Sequence, residues 1–113
     1  MNQFMFSGRL TNEPDSKKIG DKMLTKFSLA VKRGYGKDVD FIDIETWGKP
    51  AENCANFLTK GSLVLVKGRV EKRAYEAKDG RKITTINFVG EEVEFMNKME
   101  KKETVPADDE EYF

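Results

Sequence analysis

Between Asp40 and Val70 the chain changes its hydrophobic period twice. From Phe41 to Trp47 the positions alternate in twos: Ile42, Ile44 and Thr46 point one way, and Phe41, Asp43, Glu45 and Trp47 point the other. Gly48 and Lys49-Pro50 end that strand. Proline suits a first helical turn, because its missing N–H would have no intrahelical partner there. Ala51, Cys54, Ala55 and Leu58 then recur at helical spacing, with Gly61 as a stop signal. From Ser62 to Val70 period two returns, with Val64, Val66, Gly68 and Val70 on one face and Leu63, Leu65, Lys67 and Arg69 on the other. A helix of about two turns cannot stand alone in water, so it must pack on the sheet that its flanking strands build.

The rest of the chain supplies that sheet. Asn2 to Leu10 alternates, with Phe4, Phe6, Gly8 and Leu10 on one face. Thr11 to Gly20 contains Pro14, Asp15 and Gly20 and reads as a loop. Leu24 to Arg33 is a second strand with Phe27, Leu29 and Val31 inward, followed by a flexible loop at Gly34-Tyr35-Gly36-Lys37-Asp38. Asp79-Gly80 is a turn signal between Tyr75 and Ile83 and predicts a long hairpin with Lys78, Arg81 and Lys82 at its tip. The last strand runs from about Ile83 to Val89, and Val93, Phe95 and Met96 add a further apolar patch. Five strands with one short helix between the third and fourth fit an all-β, five-stranded Greek-key barrel of the OB type. Closing the barrel buries one face of every strand and removes most free edges.

At 113 residues with 38% apolar and 35% charged side chains, one small core is expected under a heavily charged surface. Residues 1–97 read as the barrel domain and residues 98–113 as a short linker with a disordered acidic tip. The net charge of zero hides an asymmetry: the body holds 17 basic against 14 acidic groups, the end 3 against 6. Cys54 is the sole cysteine and histidine is absent, so neither an intrachain disulfide nor a zinc site of the usual ligands can form within one chain, and no cofactor is expected. With no signal-peptide pattern and no long apolar run, no membrane association is expected and the cytoplasm is the default location. The chain closes on Asp108-Asp109-Glu110-Glu111-Tyr112-Phe113. Such a tail cannot fold alone. It reads either as a solubilising end or as a peptide that seats Phe113 in an apolar pocket of a partner while its acids meet a basic rim.

Four aromatics fall where a barrel presents its binding face or loops: Tyr35, Phe41, Trp47 and Tyr75. Basic residues interleave with them, namely Arg9, Lys26, Lys32, Arg33, Lys49, Lys67, Arg69, Lys72 and Arg73. Stacking a base on an aromatic contributes about 1–3 kcal/mol and tolerates any base. Phosphate contacts add affinity that weakens with salt. Together they suit a single strand, whose base faces are open, and not a duplex, which hides them. The competing readings are burial of these rings in the core or a subunit interface, and plain solvation of the lysines. Asp43 and Glu45 sit awkwardly on this face; either they pair with nearby Lys or Arg, or strand twist turns them from the phosphates.

The chain resembles the bacterial and phage single-stranded DNA-binding proteins. The resemblance rests on Phe27-Ser28-Leu29-Ala30-Val31, on Trp47-Gly48-Lys49 with Ala51-Glu52, and on Lys60-Gly61-Ser62 leading to Gly68-Arg69-Val70. It implies an OB fold assembled as a homotetramer, with Tyr35, Phe41, Trp47 and Tyr75 at the family's stacking positions and a tip that recruits replication, recombination and repair proteins. Most of those stacking positions are tryptophan or phenylalanine in the family, and two are tyrosine here. The family's tip ends in Ile-Pro-Phe or Leu-Pro-Phe; here Phe113 is kept and the proline is not, and the usual long linker is nearly absent. The expectation is a non-enzymatic, cytoplasmic protein, nucleoid-associated or in a phage's host, that coats single-stranded DNA without sequence preference. The alternatives are another OB module, RNA-binding or a replication-restart accessory, and a metal-dependent nuclease built on Asp40, Asp43 and Glu45.

Overall fold

The computed structural model describes residues 1–96. The elements are β1 (Phe4–Leu10), β2 (Asp15–Ile19), β3 (Lys22–Lys32), β4 (Val39–Trp47), α1 (Lys49–Phe57), β5 (Leu63–Glu76) and β6 (Lys82–Phe95). They form one sheet in the order β1-β5-β6-β4-β3-β2, closed by a further pairing of β1 with β3. That seam is short, with Arg9 opposite Ala30 and Leu10 opposite Leu29. All pairings are antiparallel except β4 with β6, which run parallel where Ile44, Glu45 and Thr46 meet Phe88, Val89 and Gly90. Strands β1, β3, β4, β5 and β6 are the five-stranded OB barrel that the alternation predicts.

The sixth strand is a correction. Asp15–Ile19 is not a loop but β2, paired antiparallel with β3 from Asp15 opposite Lys26 to Ile19 opposite Lys22. All five of its residues are exposed, so it carries no apolar alternation to betray it. The last strand is also longer than expected. Val93 and Phe95 are not a separate patch but the continuation of β6 past an irregularity opposite Lys67 and Gly68.

The inward rows meet in a core of Phe4, Leu10, Phe27, Leu29, Ile44, Cys54, Leu58, Val64 and Val66. Phe4, Phe6 and Phe88 form an aromatic triangle at centroid separations of 5.0, 5.3 and 5.3 Å, two of the pairs edge-to-face. Helix α1 covers one end of this core. Ala51 and Cys54 are fully buried, and Thr25 Oγ1 donates to the Ala51 carbonyl at 2.8 Å. Burial pushes the Cys54 thiol up to about 12. The helix stops at Phe57, earlier than Gly61 suggests, because Leu58 turns extended and drops its side chain fully into the core.

Two glycines let strands approach closely. A Cβ on Gly8 would strike the Ala30 carbonyl oxygen across the β1–β3 seam, and a Cβ on Gly68 would strike the Val89 carbonyl oxygen where β5 bends over β6. Beyond that bend, Glu71–Glu76 and 82–87 pair only with each other. This two-stranded arm is closed by Ala77 N–H to the Arg81 carbonyl at 2.8 Å and Gly80 N–H to the Ala77 carbonyl at 2.9 Å.

Candidate nucleic-acid interface

Because side chains alternate along a strand, β4 presents Phe41, Asp43, Glu45 and Trp47 outward. Register carries that row sideways. On β3, Ala30 lies opposite Phe41, Ser28 opposite Asp43, Lys26 opposite Glu45 and Leu24 opposite Trp47. On the arm, Arg69 lies opposite Val89, Glu71 opposite Asn87, Arg73 opposite Thr85 and Tyr75 opposite Ile83. Side-chain bonds from Arg73 and Asn87 to Glu45 join the arm to β4, so the two rows make one face.

Three of the four predicted aromatics are open on this face or at its edge. Tyr35 is fully exposed in the β3–β4 loop, Phe41 is 70% exposed, and Tyr75 is 54% exposed towards the arm tip. Trp47 is half-buried, about 20 Å from Phe41 along the strand. Its Nε1–H donates to Glu45 Oε2 at 2.7 Å. That bond ties the indole by its edge and leaves the ring face out of the hydrogen bonding.

Glu45 is therefore not a wetted carboxylate. It is 6% exposed and also accepts from Arg73 Nη1 at 2.9 Å, Arg73 Nη2 at 3.2 Å and Asn87 Nδ2 at 3.3 Å. Burial pushes its carboxyl up, but the bonds from Arg73, Trp47 and Asn87 together outweigh that and hold it below the ordinary 4.5. A lowered folded value means the stabilisation is fully present above 4.5 and is lost as pH falls through the folded value. Glu45→Gln is expected to cost about 1.5–3 kcal/mol at pH 7. Urea midpoints measured at neutral pH and near pH 3 check this: the gap between variant and parent narrows in acid, and a pH-independent gap would refute the ion-pair account.

The nine predicted cations divide. Lys26, Lys32, Lys49 and Lys72 are exposed and have no ion-pair partner among the described residues, although Lys72 points to the opposite side of the arm. Arg33 grips Asp40 through Nε–Oδ2 at 3.0 Å and Nη2–Oδ1 at 2.8 Å, bracing the Tyr35 loop. Lys67 pairs at 3.1 Å with Glu92, its cross-strand partner on β6. Arg9 shares a row with Ala30 and Phe41 but turns Nη1 back to the Gly61 carbonyl at 2.8 Å. Arg69 and Arg73 are both engaged with carboxylates.

Sequence reasoning missed Lys17 and Lys22. Register puts Lys17 opposite Leu24, itself opposite Trp47, and Lys22 lines an open groove of about 450 Å³ with Trp47, Pro50, Arg69 and Arg73. The pair Gly20-Asp21 was the available signal, since such pairs turn two-residue hairpins. Thr85 and Asn87 were missed too. They share a second groove of about 470 Å³ with Asn12, Lys26, Ser28 and Asp43, which crosses the face beside the outward row of β4.

Asp40, Asp43 and Glu45 do not converge. Among the described residues, no group of three or more His, Cys, Asp or Glu could hold a metal ion. Residues 98–113 and the predicted partner-binding tip Asp108, Asp109, Glu110, Glu111, Tyr112 and Phe113 lie outside the described residues, as does Asn97.

Residues 1–96 match the single-strand binding protein family. The chain is 41% identical over 102 residues to a single-stranded DNA-binding protein of Clostridium tetani, covering 85% of this chain and 70% of that protein. It is 42% identical over the same length to single-stranded DNA-binding protein 2 of Clostridium acetobutylicum, covering 77% of it. A single-stranded DNA-binding protein of Bacillus cereus is 38% identical, with 60% of its length covered.

Proposed function

This chain belongs to the single-strand binding protein family, and from that premise we propose that its outward face lays single-stranded DNA across Tyr35, Phe41, Trp47 and Tyr75. The protein binds single-stranded DNA. The observation that carries the site is Phe41: a ring left 70% exposed in mid-strand, in one outward row with Trp47. Large apolar rings are costly to leave in water unless something flat covers them. Lys26, Lys32 and Lys49 then meet phosphates, with Lys17 and Lys22 extending their track; Arg9, Arg33, Lys67, Arg69, Lys72 and Arg73 complete the set of candidate phosphate contacts. Tracking the backbone while stacking on base faces gives coating with little sequence preference, in replication, recombination and repair.

The protein acts without catalysis. Its barrel domain ends near residue 97, and the acidic tip from Asp108 to Phe113 recruits replication and repair proteins. A homotetramer is the assembly, supported by an apolar groove of about 550 Å³ beside β1 at Met5, Val39 and Leu63. A free buried thiol suits the reducing cytoplasm. No described helix is long and apolar enough to cross a membrane.

The sole tryptophan provides the test. Oligo-dT is expected to quench Trp47 fluorescence strongly, with only partial reversal by salt, while a duplex of equal length leaves it unchanged. Binding without quenching would remove Trp47 from the track and leave Tyr35, Phe41 and Tyr75. No binding at all would end the reading.

A further inference from the structure

On the outward row of the arm, two arginines hold one carboxylate between them. Arg69 places Nε and Nη2 on Glu71 Oε2, both at 2.8 Å. Arg73 places Nε at 3.1 Å and Nη2 at 2.6 Å on Glu71 Oε1. Each guanidinium thus takes one oxygen of the same anion. Among the described residues the Glu71 side chain bonds to nothing but these two arginines: it is 32% exposed, and Asn87 opposite it bonds to Glu45 and Thr85 instead. A phosphodiester carries the same single charge and also offers two terminal oxygens to guanidinium forks.

We propose that Arg69 and Arg73 form a seat for one backbone phosphate of the bound strand, and that Glu71 fills this seat until DNA displaces it. The proposal rests on the single-strand reading above. The seat opens onto the groove that Trp47 and Lys22 line, and Tyr75 follows two residues beyond Arg73 on the same face. The flanking carboxylates do not compete in the same way. Glu45 is buried and held by Trp47 and Asn87 as well, so it stays to orient Arg73. Glu91 reaches only Arg69 Nη1, on the side away from Glu71. Exchange of Glu71 for phosphate conserves the charge between the arginines, so the seat neither gains nor loses cationic character. Its cost is the work of expelling a well-bonded side chain, and the protein binds DNA more weakly by that amount.

The test is Glu71→Gln, titrated with oligo-dT across a salt series beside the parent and a Glu94→Gln control. Glu94 is exposed on β6 and has no ion-pair partner among the described residues. Glu71→Gln is expected to bind about 3- to 10-fold more tightly at low salt, with a salt slope steeper by about 0.7, the increment of one phosphate on a single strand. Glu71→Asp keeps the charge but is too short to reach both arginines, and is expected to fall between parent and Gln variant. Unchanged or weaker binding by Glu71→Gln, or an equal gain from Glu94→Gln, would overturn the seat while leaving the single-strand reading intact. A parent that fails to bind oligo-dT would instead bring down the reading on which the seat depends.

Discussion

Alanine at Phe41, Trp47 and Tyr75 together is expected to weaken oligo-dT binding about a thousandfold. Each base–aromatic stack contributes about 1–3 kcal/mol, so three lost stacks at mid-range exceed 4 kcal/mol, and roughly 1.4 kcal/mol is tenfold. Non-additivity between neighbouring anchors trims the sum without rescuing it. The fold should survive, because Phe41 and Tyr75 are mostly exposed and Trp47 is held chiefly at its edge. Tyrosine fluorescence is unsuitable as a readout once Trp47 is gone, so a labelled strand and anisotropy are the better choice. A triple variant that melts like the parent yet binds within threefold of it would remove stacking from the mechanism and leave phosphates alone. The single Trp47→Phe change separates shape from hydrogen bonding: it keeps a ring but takes one donor from Glu45, which Arg73 and Asn87 still hold, so it should cost little affinity and some stability.

Gly68→Ala is expected to cost about 3–5 kcal/mol, a large share of the roughly 5–15 kcal/mol that holds a small domain together. The added methyl meets backbone on all sides: the Val89 carbonyl oxygen, its carbon at 2.8 Å and the Glu91 nitrogen at 3.0 Å. No side chain can swing away to make room, so the β5–β6 ladder itself must part. Thermal unfolding followed by circular dichroism reads the effect directly. A melting point within a few degrees of the parent would mean that the bend relaxes freely, and the close approach would lose its structural meaning.

How much of this was legible beforehand follows from where each residue's partners lie. The barrel strands announced themselves because each buries one face, so Phe27-Leu29 or Val64-Val66 write the burial directly into the alternation. Strand β2 buries nothing and left only its turn pair as a trace. The far half of β6 was hidden by the irregularity at Gly68, which puts the buried Val89 and Gly90 side by side and breaks period two. At the site, the outward aromatics could be read from spacing within β4 alone. The state of Glu45 could not, because its partners Arg73 and Asn87 stand 28 and 42 residues away. The same distance problem concealed which cations are free: a basic residue looks alike in sequence whether a carboxylate two residues on captures it, as with Arg69 and Glu71, or solvent does.

The way β1 is built into the barrel sets a schedule for synthesis. Its neighbour over Phe4 to Arg9 is β5, whose matching residues are Gly68 back to Leu63. A ribosome adds about 5–20 residues per second, so the first strand waits roughly 3–12 seconds for its partner to be made. Through that interval Phe4 and Phe6 have only each other from the aromatic triangle, whose third member, Phe88, comes later still. The β2–β3–β4 meander closes on short loops and can form early, while the β1–β5 pairing waits for β5 and the parallel β4–β6 pairing for the last strand. Among small domains, those dominated by such distant pairings fold slowly, on a scale of about milliseconds to seconds. Birth, more than maturity, is when this chain has most apolar surface to hide, and a holding chaperone would find its handle in β1.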